Sequence, residues 1–306
     1  MKATWMACLG LLVAALLALP TAGRSEPAPG RCALASQGIP ARASTAPSGS
    51  EFARQVASMS EQQRDQAIRE ALLGGNLPQF LRSAVPVELV GRVSDGTATR
   101  VTLCVLPDYL SVGSARDSLL VPMGLDSALA VADAFGFILP TRRMVDAIYR
   151  QAAVRLSPQP LPPGAQMTST AYFVRHNEMV QAQRSTADLP PAALTAGHKK
   201  DLVISRRLWS TPGRVAIYGW HRGAEAPIQP LSTVHGARYA DYSHGVRLVS
   251  TTAFVDGKPV SIFELMRDRR LAALLSDEGP LDGLPEALHS LADSGATVLA
   301  ALRVGH

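Results

Sequence analysis

Two stretches of short β-prone runs, broken every few residues by Gly, Asp or Pro, leave little room for an alternating parallel fold. The first comprises 87–90, 100–106, 109–112 and 119–121; the second comprises 170–175, 201–208, 214–220, 246–255 and 259–262. Runs of this length with such punctuation read as short strands. The helical patterns are segregated from them. Ser60 followed by Gln63 is a capping box ahead of Ile68, Leu72 and Leu73, with Gly74-Gly75 as the stop, and 77–84 reads as a further short helix. Asp126 is placed to cap 127–135, which Gly136 closes. Thr141 is placed to cap 142–153, where Met144, Val145, Ile148 and Tyr149 share a face. Helices at 263–275 and in the tail 284–302 complete the reading. N-terminal helices, mixed short strands with two central helices, and a β-rich second half with a C-terminal helical tail make an α+β fold.

The first residues read as an export signal. Lys2 is followed by the apolar run 9–19 and then by Pro20-Thr21-Ala22-Gly23, so 1–23 is expected to be a cleaved signal peptide. The run is shorter than the roughly 20 residues of a transmembrane helix, and no later stretch is as apolar. The mature chain is therefore expected in the periplasm or secreted, with no integral membrane segment after signal cleavage. Residues 24–50, rich in Pro, Ala, Ser and Gly, read as a flexible arm. One α+β domain is expected over 51–306, with the Pro-rich segment 157–165 as a candidate internal boundary.

Export also frames the cysteines. Of three, Cys8 lies in the signal, which leaves Cys32 and Cys104 as a candidate disulfide in an oxidising compartment. The formal net charge of +5 comes from scattered arginines without interleaved aromatic residues, so no nucleic-acid partner is expected. Gly-rich phosphate loops, Gly-x-Ser-x-Gly elbows and Cys-x-x-Cys pairs are absent, which removes support for nucleotide, serine-hydrolase and thiol-redox chemistry.

Histidine carries the functional signal. Five of seven fall within 176–244: His176, His198, His221, His235 and His244. Histidine titrates near neutral pH and is the commonest metal ligand. One reading takes His235, Asp241 and His244 as two imidazoles and a carboxylate around a catalytic zinc ion. A metal-free reading uses His244 or His198 as general base or acid, oriented by Asp241 or Asp201, with Arg247 or Lys199 holding an anionic substrate. Trp220, Tyr239 and Tyr242 beside them would suit stacking on sugar rings.

His235-Gly236 followed by Ser243-His244-Gly245-Val246-Arg247-Leu248 resembles the signature of the L,D-transpeptidases of bacterial cell walls, a His-Gly and then Ser-His-Gly-Cys-x-Arg. The upstream order is similar too, with a strand from Leu202 and Thr211-Pro212-Gly213 opening another; the resemblance covers roughly 200–250. It implies peptidoglycan as the substrate. The departure is the nucleophile: Gly245 is followed directly by Val246 and Arg247, so no thiol stands there to form a thioester. The expectation is an exported hydrolase or acyl-transfer enzyme acting on a cell-wall polymer or polysaccharide through 198–247. A non-catalytic envelope-binding or structural protein is the alternative.

Overall fold

Serine caps set the first helices. In the computed structural model, which describes residues 28–223, 226–284 and 288, α1 (Ala28–Cys32) precedes α2 (Gly49–Gln55) and α3 (Glu61–Leu73). Ser48 and Ser60 each close a full capping box, with Glu51 and Gln63 respectively. A 3₁₀ turn at Gln79–Arg82 stands where a short helix is expected. The expected signal peptide and the tail beyond 284, save 288, lie outside the described residues.

The span 28–50 is not the loose arm its composition suggests. Cys32 is buried and disulfide-bonded to Cys104, Ile39 joins the hydrophobic core, and Arg42 Nε donates to Asn76 at 2.8 Å. A few anchors hold a segment that has little apolar surface of its own.

Alternation of apolar residues produces the main sheet. Strand β1 (Val85–Arg92) pairs antiparallel with β2 (Ala98–Val105), and β3 (Ser111–Gly113) with β4 (Ser118–Leu120). Helix α4 (Leu125–Phe135) ends on Gly136 in the left-handed conformation at φ 77°. Its N-cap is Gly124 rather than Asp126, which lies inside the first turn, and Asp65 from α3 braces that turn by accepting the Gly124 N–H (2.8 Å) and the Ser127 hydroxyl. After β5 (Phe137–Ile138), Thr141 caps α5 (Arg142–Gln151) as its position predicts.

Next come β6 (Val154–Arg155) and α6 (Thr170–Arg184). The run 170–175 is thus helical, not a strand: Ser169 accepts the Tyr172 N–H as N-cap, and Thr170, Phe173, His176 and Val180 are buried at helical spacing. The Pro-rich segment before it is pinned, since Leu161 is buried and its N–H donates to Tyr242 Oη at 2.7 Å.

The remaining elements are β7 (Thr195–Ala196), β8 (Lys200–Leu202), α7 (Arg207–Ser210), β9 (Ile217–His221), β10 (Pro227–Ser232), β11 (His244–Gly245), β12 (Val249–Val255), β13 (Lys258–Ser261), α8 (Ile262–Arg267) and α9 (Ala272–Leu275). The helix expected over 263–275 is broken because Asp268 accepts the N–H groups of Arg270 and Leu271. The larger sheet runs β1-β2-β12-β13, with β5 also on β12; a second runs β10-β9-β8-β11. Helices and short, mostly antiparallel strands make the fold α+β. One hydrophobic cluster extends from Ile39 to Leu284. No helix of the described residues is long and apolar enough to cross a membrane.

Candidate functional site

The second sheet brings the two polar clusters of the sequence together. Strands β8 and β11 run parallel, with His244 beside Lys200 and Gly245 beside Asp201. A side chain at 245 would meet Lys199 Cβ and Tyr109 Cδ1 at 2.7 Å, so glycine permits this approach. Segments 198–201 and 241–247 thereby share one polar interior.

Most of that interior is closed to solvent. His198, Lys199, Asp201, Asp241, His244 and Arg247 are each at most 2% exposed. Tyr109 Oη donates to Asp201 Oδ2 at 2.9 Å, and the Arg247 guanidinium lies 4.2 Å over the Tyr109 ring. Arg247 donates to the carbonyls of Leu106 (3.0 Å) and Thr195 (2.6 Å), and its Nε stands 4.0 Å from Asp201. It ties loops together, where the sequence reading made it a holder of substrate anions. Burial pushes the Asp201 carboxyl up to about 6, with Arg247 opposing.

Lys199 is interior as well. Its Nζ donates to the Tyr242 carbonyl and stands 3.2 Å from His176 Nδ1, and burial pulls its pKa down to about 7 against Asp241 and Asp108. His198 lies 3.4 Å from Asp108, which is also ion-paired with Arg184. Burial alone would raise the Asp108 pKa; Arg184 and His198 outweigh it and hold the carboxyl low. Burial lowers the pKa of both His198 and His176, and at His198 the Asp108 carboxylate opposes it. Asp108, Tyr109 and Arg184 have no local signal in the sequence, since these ion-pair and hydroxyl partners stand 76 or more positions away.

The other half of the cluster reaches the surface. His235 is half-buried and stacks on Tyr239, ring centroids 4.2 Å apart. Tyr239 meets the His244 ring edge-on at 5.6 Å, and its Oη donates to Asp241 Oδ2 at 3.1 Å. Burial, then Asp241, push the Tyr239 hydroxyl up to about 12. Ser243 holds the other carboxylate oxygen through its N–H (2.7 Å) and its hydroxyl (2.5 Å). His244 sits beneath, its Nε2 3.9 Å from Asp241, and neither ring nitrogen has a hydrogen-bond partner among the described residues. Burial lowers the His244 pKa, against the pull of Asp241, so the imidazole is neutral at neutral pH.

Beside them Lys200 places its ammonium 5.0 Å from the Trp220 ring centre. Trp220 itself is held at φ 58°, a conformation costly for a bulky residue, and its buried Nε1 has no partner among the described residues. His221 belongs elsewhere: its Nε2 lies 3.1 Å from Asp146 on α5.

His235, Asp241 and His244 therefore gather as read from the sequence, whereas His198, Asp201 and Arg247 form a sealed network behind them. The zinc set is not assembled. Among the described residues no group of three or more His, Cys, Asp or Glu is placed to hold a metal ion, and the Asp241 oxygens are already occupied by Ser243 and Tyr239. No family model, curated protein or solved structure matches the chain. A neutral imidazole with two nitrogens unpartnered among the described residues, a fixed carboxylate and a partly exposed cation can move a proton at a polarised carbonyl.

Proposed function

We propose that the chain is an exported, periplasmic or secreted enzyme of hydrolase or acyl-transfer type that acts on a cell-envelope polymer, peptidoglycan first. The observation that carries this reading is His244, a buried imidazole with both nitrogens unpartnered, 3.9 Å from a carboxylate locked by Ser243 and Tyr239. A buried polar group without a partner is costly; His198 is equally unpartnered, and His244 is preferred because it lies under His235 and Tyr239, which reach the surface. His244 takes a proton from water as the oxygen attacks a substrate carbonyl, Asp241 stabilises the imidazolium, and the proton then passes to the leaving amine or alcohol. His235 and Tyr239 form the outer wall, and Lys200 supplies positive charge. A thioester route lacks its nucleophile, because Cys32 and Cys104 are joined.

The sealed network favours a second reading, in which the same loops are merely braced and the protein binds envelope polymer without cutting it. Mass spectrometry of purified sacculi separates the two. Wild type should release muropeptide fragments, and His244→Ala, folded by circular dichroism, should release at least about 100-fold less, the scale of a lost general base. Retention on sacculi without release by wild type would overturn the enzyme.

A further inference from the structure

A cleft of about 560 Å³ runs along α5 and shares no lining residue with the His235–His244 cluster. Its walls carry Arg142, Arg143 and Arg150, with Asp146, Tyr218 and Asp277 between them. Arg142 is committed to an ion pair with Asp277 and lies over the Tyr218 ring. The other two are not. Arg143 uses only its Nε, donating to the Leu274 carbonyl at 3.0 Å, and the Arg150 guanidinium has no acceptor among the described residues. Both side chains are exposed.

Seven positions separate Arg143 from Arg150, which is two helical turns on one side of α5 and about 10 Å along its axis. Each guanidinium fork suits a carboxylate or phosphate held by paired hydrogen bonds. A single small oxyanion cannot bridge both. Between the forks stands Asp146, fixed by the Tyr218 hydroxyl (2.9 Å) and His221 Nε2 (3.1 Å) while its side chain stays 26% exposed. A carboxylate there rejects a third anion and accepts from a hydroxyl. The cleft thus has the polarity cation, acceptor, cation.

We propose that this cleft binds an anionic polysaccharide, two acidic groups about 10 Å apart resting on Arg143 and Arg150 and the hydroxyls of the intervening sugar donating to Asp146. The inference stands apart from the reaction assigned to His244, since it concerns binding alone.

Calorimetry on the full chain with a hyaluronan oligosaccharide, in which acidic sugars alternate with neutral ones, tests it, against glucuronate monomer, neutral dextran and a single-stranded oligodeoxynucleotide of equal charge. The oligomer should bind at least about 100-fold more tightly than the monomer, because two forks are engaged at once. Dextran should not bind, and the oligodeoxynucleotide, which offers no hydroxyl between its phosphates, should bind more weakly. Arg143→Gln/Arg150→Gln should weaken binding about 30-fold or more. Arg54→Gln/Arg116→Gln, which lowers the charge equally at other depressions, should change it less than about 3-fold. Equal binding of monomer or oligodeoxynucleotide, equal losses in the two double variants, or no binding of the oligomer would each overturn the proposal.

Discussion

The two sheets differ in that only the second buries charged and imidazole side chains beside its apolar ones. Strands β1, β2 and β12 fill the core with Val87, Leu89, Val101, Leu103, Val105 and Val249. Strands β8, β9 and β11, with the residues flanking them, bury Lys199, Asp201, His221, His244 and Arg247. The first sheet is held by apolar area and tolerates a neighbour that fits roughly. The second holds only while each charge keeps its partner, because an unpaired buried charge costs far more than a small cavity. Stability is therefore spread evenly through one sheet and concentrated in a few contacts of the other.

Removing a charge is the hardest blow to that contrast. Arg247→Ala should lose about 3–5 kcal/mol, since it strands Asp201 and frees two buried carbonyls. Leu103→Ala in the apolar sheet should cost about 2–5 kcal/mol. The informative variant is Arg247→Met/Asp201→Leu, which should recover much of the single-variant loss. Urea midpoints measure all three, and no recovery in the pair would mean that Arg247 acts through its carbonyl contacts alone. Between the two in kind lies the disulfide. Cys32→Ser/Cys104→Ser opens a loop with a sequence separation of 72, and about 4 kcal/mol should go with it.

The same contrast should be visible in pH. Lys199 is held at about 7, below its ordinary 10.5, so the unfolded chain takes up that proton first and wild type loses stability as pH falls from 10.5 towards 7. Asp201 is held at about 6, above its ordinary 3.8, so its contribution is full at low pH and lost as pH rises from 3.8 through 6. Lys199→Met should flatten the first slope and Asp201→Asn the second, in urea midpoints taken at pH 4, 6, 8 and 10. Leu103→Ala should shift every midpoint alike. A Leu103→Ala profile that changed shape would couple the two sheets.

What the sequence disclosed follows the same division. Strands β1, β2 and β12 and the caps at Ser60 and Thr141 rest on neighbouring residues, so they are legible in order and nearly in extent. Helix α6 is hidden in the sequence because its buried face holds few apolar residues and its Tyr-Phe-Val run favours strand. The gathering of His235, Asp241 and His244 follows from ten positions of chain, whereas the burial of Asp201 and Arg247 depends on Tyr109 and Leu106 from far upstream. Composition cannot tell a charge at a mouth from a charge in a wall. Lys200, the first residue of β8, is partly exposed, whereas Lys199 just before the strand is buried, a difference that nothing in their identity signals.

The smallest expected effect tests where the sealed network ends. Tyr239→Phe keeps the ring that stacks on His235 and removes one donor to Asp241, which retains both contacts from Ser243. Stability should fall by about 1 kcal/mol, the worth of one hydrogen bond with its partner still reachable by water. For the reaction proposed at His244 the consequence differs in kind. Losing that donor removes a hydrogen bond to the ionised carboxylate, so Asp241 becomes more basic and its attraction for the His244 imidazolium grows. The acid limb of the pH–rate profile set by His244 should then move to higher pH while KM stays unchanged. A structural tyrosine would lower stability by the same amount and leave the limb in place, so the profile decides whether the exposed rim belongs to the site or only covers it.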